Sequence, residues 1–146
     1  MAGIMFQKQQ SINMCLYTKD PKVKIAKRRI VCYKVLSKTN STISDIEFMT
    51  PYQHTYIDND IINGKKDFEA KGSVDITDSF DAIDFYQING GCIHTYKCKK
   101  DAKWCGLEQS VFKCIIPKGT EDYEGESLCG YENYASKKIR FIKQIA

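Results

Sequence analysis

One short segment places a histidine beside a cysteine and a tyrosine, residue types that bind ligands or move protons. It reads Cys92-Ile93-His94-Thr95-Tyr96. On a strand alternate side chains share a face, so Cys92, His94 and Tyr96 would point the same way. Such a histidine can bind a phosphate, a ribose hydroxyl or a base, or act as a general acid or base. The alternative is a half-buried structural histidine held by a backbone partner.

The second histidine, His54, follows a turn at Pro51 and lies between Tyr52 and Tyr56. It is a candidate to face His94 across a cleft. The alternative is an ordinary loop histidine.

The cysteine spacing around His94 shows whether the segment matches a metal-binding pattern. The pattern from Cys92 to Cys114 is C-x-H-x3-C-x6-C-x8-C, and it lacks the C-x2-C pair that marks a structural zinc site. Cysteines within strand patterns act as small apolar residues. We therefore predict no metal. The chain has seven cysteines and no secretory signal, which indicates reduced thiols in the cytoplasm.

Cofactor-binding fingerprints are missing from the sequence. Neither the phosphate-binding pattern G-x4-G-K-[ST] nor the dinucleotide pattern G-x-G-x-x-G occurs. The segment Pro117-Lys118-Gly119-Thr120 is too short for the former and predicts a tight turn. We predict no cofactor.

Charge is unevenly distributed along the 146 residues. Residues 44–84 carry ten acids and three bases, a net −7, whereas the rest carries 19 bases and 8 acids, a net +11. Basic residues also alternate with aromatic ones, as in Tyr33-Lys34 and Phe112-Lys113. Both features suit a nucleic-acid surface, but they equally suit solvated faces and wet strand edges. We favour the second interpretation, and hence a partner other than nucleic acid.

The elements that must position these residues are mainly strands. Runs rich in β-branched and aromatic residues predict central strands at 30–36, 92–97, 111–117 and 137–145, with a short helix between residues 99 and 105. We predict a single compact α+β domain over residues 14–146, with a curved, mainly antiparallel sheet and one or two short helices. Residues 1–13 are expected to form a flexible leader. No apolar run approaches the ~20 residues that span a bilayer, so no membrane association is expected.

Three segments in this order resemble a group of known sequences: IVCYKVL, GGCIHTYKCKKDA, and VFKCIIPKGTEDYEG followed by YASKKIRFI. They are similar to small uncharacterised proteins of gut Bacteroidetes and their phages. The resemblance covers most of the chain from Met14 onward. It implies a shared domain and brings no established activity with it.

The same order is also similar to ADP-ribosyltransferase folds, which have a catalytic Arg or His on a first strand, a strand with a hydroxyl residue, and an E-x-E motif. The resemblance places Lys34 at the Arg or His position and Thr95 in the hydroxyl motif. It places Glu132 at the first Glu and Tyr134 at the second, catalytic Glu. Lys34 and Tyr134 therefore depart from the residues of that family.

We expect a non-catalytic binding module for a nucleotide-like small molecule or a protein partner, such as a host protein met by a phage-encoded factor. The alternative is an ADP-ribosyltransferase-like enzyme with a departed active site. No catalytic residue is assigned. The predicted ligand-binding residues are His94, Tyr96, His54, Tyr33, Lys34 and Glu132.

Overall fold

The computed structural model describes residues 16–39, 47–49, 55–56, 59–78, 85–104, 109–127 and 130–146. The predicted leader, residues 1–13, and His54 lie outside this part of the chain. Helix within it is confined to α1 (Asn59–Ile62) and α2 (Lys99–Trp104). The strands are β1 (Leu16–Thr18), β2 (Lys24–Ile25), β3 (Ile30–Thr39), β4 (Glu47–Met49), β5 (Thr55–Tyr56), β6 (Phe68–Glu69), β7 (Ile76–Asp78), β8 (Tyr86–Ile88), β9 (Ile93–Tyr96), β10 (Gln109–Ile116), β11 (Glu121–Glu126), β12 (Glu132–Ser136) and β13 (Lys138–Gln144).

The strands pair along one path, β6-β13-β10-β3-β9-β12-β11-β1-β8-β7, with β2 beside β11, and β4 linking β5 to β3. All the ladders formed by these strands are antiparallel. The predicted antiparallel sheet with two short helices is thus confirmed. The α+β assignment is met only in part, because the described protein is mostly β.

The four predicted central strands all form, as β3, β9, β10 and β13. A further strand, β11, forms from the mostly polar residues Glu121–Glu126. This strand contains a glycine, Gly125, at a position where a side chain has no room. A Cβ at Gly125 would clash with the carbonyl oxygen of Tyr17, because β1 lies directly alongside.

The sheet buries residues on both faces. One face carries the main core, in which Phe112 and Phe141 meet edge to face with ring centroids 5.4 Å apart. Ile61 and Ile62 of α1 pack against this core. On the other face, α2 presses Ala102 onto the adjacent parts of β3, β9 and β10. A smaller cluster around Leu16 and Ile88 covers the same face further along the sheet.

Candidate functional site

His94 is buried within the sheet, with 5% of its surface exposed. Its Nε2 lies 3.0 Å from the carbonyl oxygen of Asn89, so Nε2 carries the proton and donates it. Its Nδ1 is buried without a hydrogen-bond partner among the described residues. Burial lowers the pKa of His94 to about 4, which the Asn89 carbonyl only partly opposes. His94 is therefore neutral at physiological pH.

Lys34 is a buried lysine on the other face of the sheet, with 3% of its surface exposed. Its Nζ donates to the carbonyl oxygen of His94 over 2.7 Å. Desolvation lowers the pKa of Lys34 to about 8. The ammonium therefore stays mostly charged at neutral pH while enclosed by the core.

The predicted ligand-binding residues do not share one surface. Tyr33 pairs with Tyr96 across β3 and β9, which places both on the face of His94 and opposite Lys34. Tyr96 is buried, and its ring meets that of Tyr131 edge-on at 6.4 Å. Tyr33 is half-buried, and Glu132 is exposed. His54 lies outside the described residues.

The cysteines of the described part are free thiols: Cys32, Cys92, Cys98 and Cys114. Burial raises the pKa of Cys32 to about 12 and that of Cys92 to about 11. Burial also raises the pKa of Cys114. No group of three or more His, Cys, Asp or Glu side chains in the described part is placed to hold a metal ion. Neither of the two described helices is long and apolar enough to cross a membrane.

An open pocket of about 260 Å³ lies where β11 and β12 run side by side. Its walls are strongly charged. They comprise two lysines, three glutamates, a tyrosine and two small or amide residues: Lys24, Lys97, Glu124, Glu126, Glu132, Tyr134, Gly125 and Asn133. Of the predicted ligand-binding residues in the described part, only Glu132 contributes to this pocket.

Two of the pocket carboxylates face each other. Glu126 of β11 is directly opposite Glu132 of β12. Glu132 has Lys97 as an ion-pair partner at 3.8 Å, with both side chains about half exposed. Glu126 has no ion-pair partner among the described residues, whose ion pairs join Lys24 to Glu124, Lys97 to Glu132 and Arg140 to Asp67. Like charges directly opposite each other on a sheet are unfavourable, so this pairing leaves local negative charge available to a cation.

The next pair along these strands is Glu124 and Tyr134. Glu124 forms an exposed ion pair with Lys24 at 3.3 Å. Tyr134 is buried and lines the pocket wall, and desolvation raises its pKa to about 12. Asp122 follows on the same side of β11. Burial, followed by repulsion from Glu124, raises the pKa of Asp122 to about 6.

The strand register brings together three positions that the resemblance to ADP-ribosyltransferases marks: Lys34, Thr95 and Tyr134. Tyr134 is opposite Thr95, and the Tyr33–Tyr96 pair places Lys34 next to Thr95 on the same face. Lys34 and Thr95 are 3% and 1% exposed. Only the Tyr134 end of this row opens into the pocket.

Four residues of the pocket are not among the predicted ligand-binding residues: Lys24, Lys97, Glu124 and Glu126. A signal was present in Glu121–Glu126, because its acids at positions 122, 124 and 126 recur with the period of a strand. That period predicts a row of carboxylates on one face. Lys24 carries no comparable signal, because β2 reaches β11 only through tertiary pairing.

Comparisons with known proteins return nothing: no family model, curated protein or solved structure matches the chain.

Proposed function

We propose that this protein is a non-catalytic binding module that receives a basic side chain of a protein partner in the pocket between β11 and β12. The supporting observation is the Glu126–Glu132 pair, in which two carboxylates face each other in an open pocket. A lysine or arginine side chain placed there would bring a positive charge to both. Arginine fits two carboxylates best, because its guanidinium presents a planar fork of N–H donors.

The existing lysines of the pocket do not prevent this. Lys24 and Lys97 are 52% and 48% exposed, and exposed ion pairs contribute little to stability. Both side chains can swing into solvent at small cost. Glu124 and Glu132 would then join Glu126 in binding the incoming cation.

The pocket's size and charge favour a side chain over a nucleotide. Its volume of about 260 Å³ is below the ~300–1,000 Å³ usual for small-molecule sites. Its carboxylates would also repel the phosphates of a nucleotide. Of the two ligand classes that the sequence leaves open, a protein partner is therefore the better supported.

The second candidate is an ADP-ribosyltransferase-like enzyme. The contiguous row from Lys34 through Thr95 to Tyr134 favours it. The burial of Lys34 and Thr95 weighs against it, because a substrate would have to reach both. Stabilisation by NAD would support this candidate, since ligand at 100-fold its Kd adds ~2.7 kcal/mol to the free energy of unfolding.

We further propose one α+β domain with a curved sheet, related to the Bacteroidetes and phage proteins and located in the cytoplasm. The free thiols of Cys32, Cys92, Cys98 and Cys114 support a reducing compartment. A phage-encoded factor that binds a host protein fits this setting.

Binding of labelled peptides tests the main proposal. Fluorescence anisotropy would compare an arginine-containing peptide with the same peptide carrying glutamate instead. We expect binding of the arginine peptide only, and its loss in the variant Glu126→Gln/Glu132→Gln. The matched control Glu69→Gln/Glu121→Gln removes two exposed acids outside the pocket and should bind normally. Equal binding by both variants would refute the pocket as the site.

A further inference from the structure

A second charged surface lies on the face of the sheet that faces away from Lys34. Two cross-strand rows form it over β3, β10 and β13. Tyr33, Lys113 and Lys143 make one row, and Val31, Ile115 and Arg140 make the other. We call these six residues the basic face.

The basic face is accessible to solvent. Val31 is 44% exposed and Lys143 is exposed, while Tyr33, Lys113 and Ile115 are half-buried. Their neighbours along the strands, such as Cys32 and Cys114, are buried in the core on the other side. An aromatic ring and two apolar side chains thus lie among cations on one exposed sheet surface.

The central feature of the basic face is a second pair of like charges. Lys113 is directly opposite Lys143. Neither has an ion-pair partner in the described part of the chain, whereas Arg140 binds Asp67 with Nε and Oδ1 2.7 Å apart. Two lysines facing each other are unfavourable in the free protein. An anion bound between them would remove that repulsion.

Helix α2 extends the positive charge beyond Tyr33. It packs on β3 through Ala102, which joins the cluster that Tyr33 borders. Its lysines, Lys99, Lys100 and Lys103, are all exposed. The α2 lysines therefore add positive charge next to the Tyr33 end of the row that continues to Lys113 and Lys143.

We propose that the basic face binds single-stranded nucleic acid. The phosphates would follow the lysines, and a base would stack on Tyr33, next to the apolar surface of Val31 and Ile115. Proteins that bind single strands combine a cationic groove with aromatic side chains in this way, because every base has a π-face. An acidic protein segment would match the charge, but it would make no use of an aromatic ring in line with the lysines. The proposal is independent of the pocket, which lies on the other face of the sheet.

Fluorescence anisotropy with labelled oligo(dT) and oligo(U) tests this proposal. We expect binding that weakens with salt, with a slope of log K against log salt of ~−0.7 per phosphate contacted. The variant Lys113→Ala/Lys143→Ala should weaken binding and reduce that slope by ~1.4. The charge-matched control Lys22→Ala/Lys65→Ala removes two exposed lysines outside both the basic face and the pocket, and should leave binding unchanged.

The Tyr33 ring provides the test of stacking. Tyr33→Leu keeps an apolar side chain against α2 but removes the ring, and should weaken binding by ~5-fold or more. Tyr33→Phe should bind like the wild type. Circular dichroism would show that each variant is folded, so a loss of binding can be assigned to the surface.

Three results would overturn the proposal. The first is no binding of either oligonucleotide at roughly 50 mM salt, where phosphate contacts are strong. The second is equal binding of duplex DNA, whose bases cannot stack on Tyr33. The third is tighter binding of a polyglutamate peptide, which would make the occupant an acidic protein.

Discussion

Glu126 of β11 and Glu132 of β12 face each other directly in an open pocket. On the opposite face of the sheet, Lys113 and Lys143 form the corresponding pair of cations. Each pair holds like charges together at some cost to stability. Each also defines the charge of the ligand that would remove the repulsion. The two faces of one sheet thus carry like-charge pairs of opposite sign, which is why we propose a different ligand for each.

Neutralising one pocket carboxylate should stabilise the free protein. Glu126→Gln removes the repulsion with Glu132, so we expect the free energy of unfolding to rise by ~0.5 kcal/mol. Urea denaturation measures this change. Glu69→Gln is the control, because Glu69 is directly opposite Lys138 and its loss should not stabilise. Destabilisation by Glu126→Gln would show that Glu126 has a favourable partner.

His94 should make the fold sensitive to acid. Its pKa is about 4 in the fold against an ordinary 6.5, so the unfolded chain binds its proton first. Its contribution is complete above pH 6.5 and is lost as the pH falls towards 4, by ~3 kcal/mol in total. Asp122 has the opposite effect on stability. Its pKa is raised to about 6, so its protonation in acid favours the fold. The difference in unfolding free energy between wild type and His94→Gln isolates the histidine. A difference that is constant between these pH values would contradict its burial as a neutral group.

Lys34 should make the stability of the fold depend on pH in the alkaline range. Its pKa is about 8 in the fold against an ordinary 10.5, so the fold gains stability as the pH rises between these values. The expected gain is ~3 kcal/mol. The thiols of Cys32 and Cys114 oppose it, because they keep their protons in the fold and lose them in the unfolded chain. Chemical denaturation of wild type and Lys34→Met across this pH range measures the contribution of Lys34, as the difference between their free energies of unfolding. The same pH profile for both proteins would show that Lys34 is not enclosed.

Gly125 should be intolerant of a side chain. Gly125→Ala places a Cβ against the carbonyl oxygen of Tyr17 and the Leu16 side chain, so β1 must move away from β11. We expect a loss of ~2 kcal/mol or more, as for other overpacked sites. The control Gly90→Ala meets no atom within 4 Å and should change stability little. Thermal unfolding of the two variants compares them, and equal stability would contradict this strand pairing.

The sequence predicted the parts of the fold that depend on local pattern. Apolar runs identified β3, β10 and β13, because these strands are buried on the core face. The alternation in Cys92 to Tyr96 correctly placed Ile93 and Tyr96 on opposite faces. Because the sheet buries residues on both faces over these central strands, their sequences are apolar almost without interruption.

Local patterns indicate only part of the pocket, namely Glu132 and the row of carboxylates that includes Glu124 and Glu126. The strands β11 and β12 are joined by the short connection 127–131 and pair locally. Lys24 and Lys97 come from β2 and from the end of β9, which reach these strands only through non-local pairing. The burial of His94 and Lys34 has the same origin. Nothing local distinguishes a histidine or lysine on a wet strand face from one covered by another element, as the exposed Lys143 and the buried Lys34 show.

The most direct test of a basic side chain in the pocket is an NMR titration of the ¹⁵N-labelled protein with Nα-acetyl-arginine N-methylamide. We predict chemical-shift changes at the amides of Glu124 to Glu126 and Glu132 to Tyr134, and none of these in Glu126→Gln/Glu132→Gln. AMP should leave the same amides unshifted. No shift at these amides with the arginine probe, or equal shifts with AMP, would contradict the account.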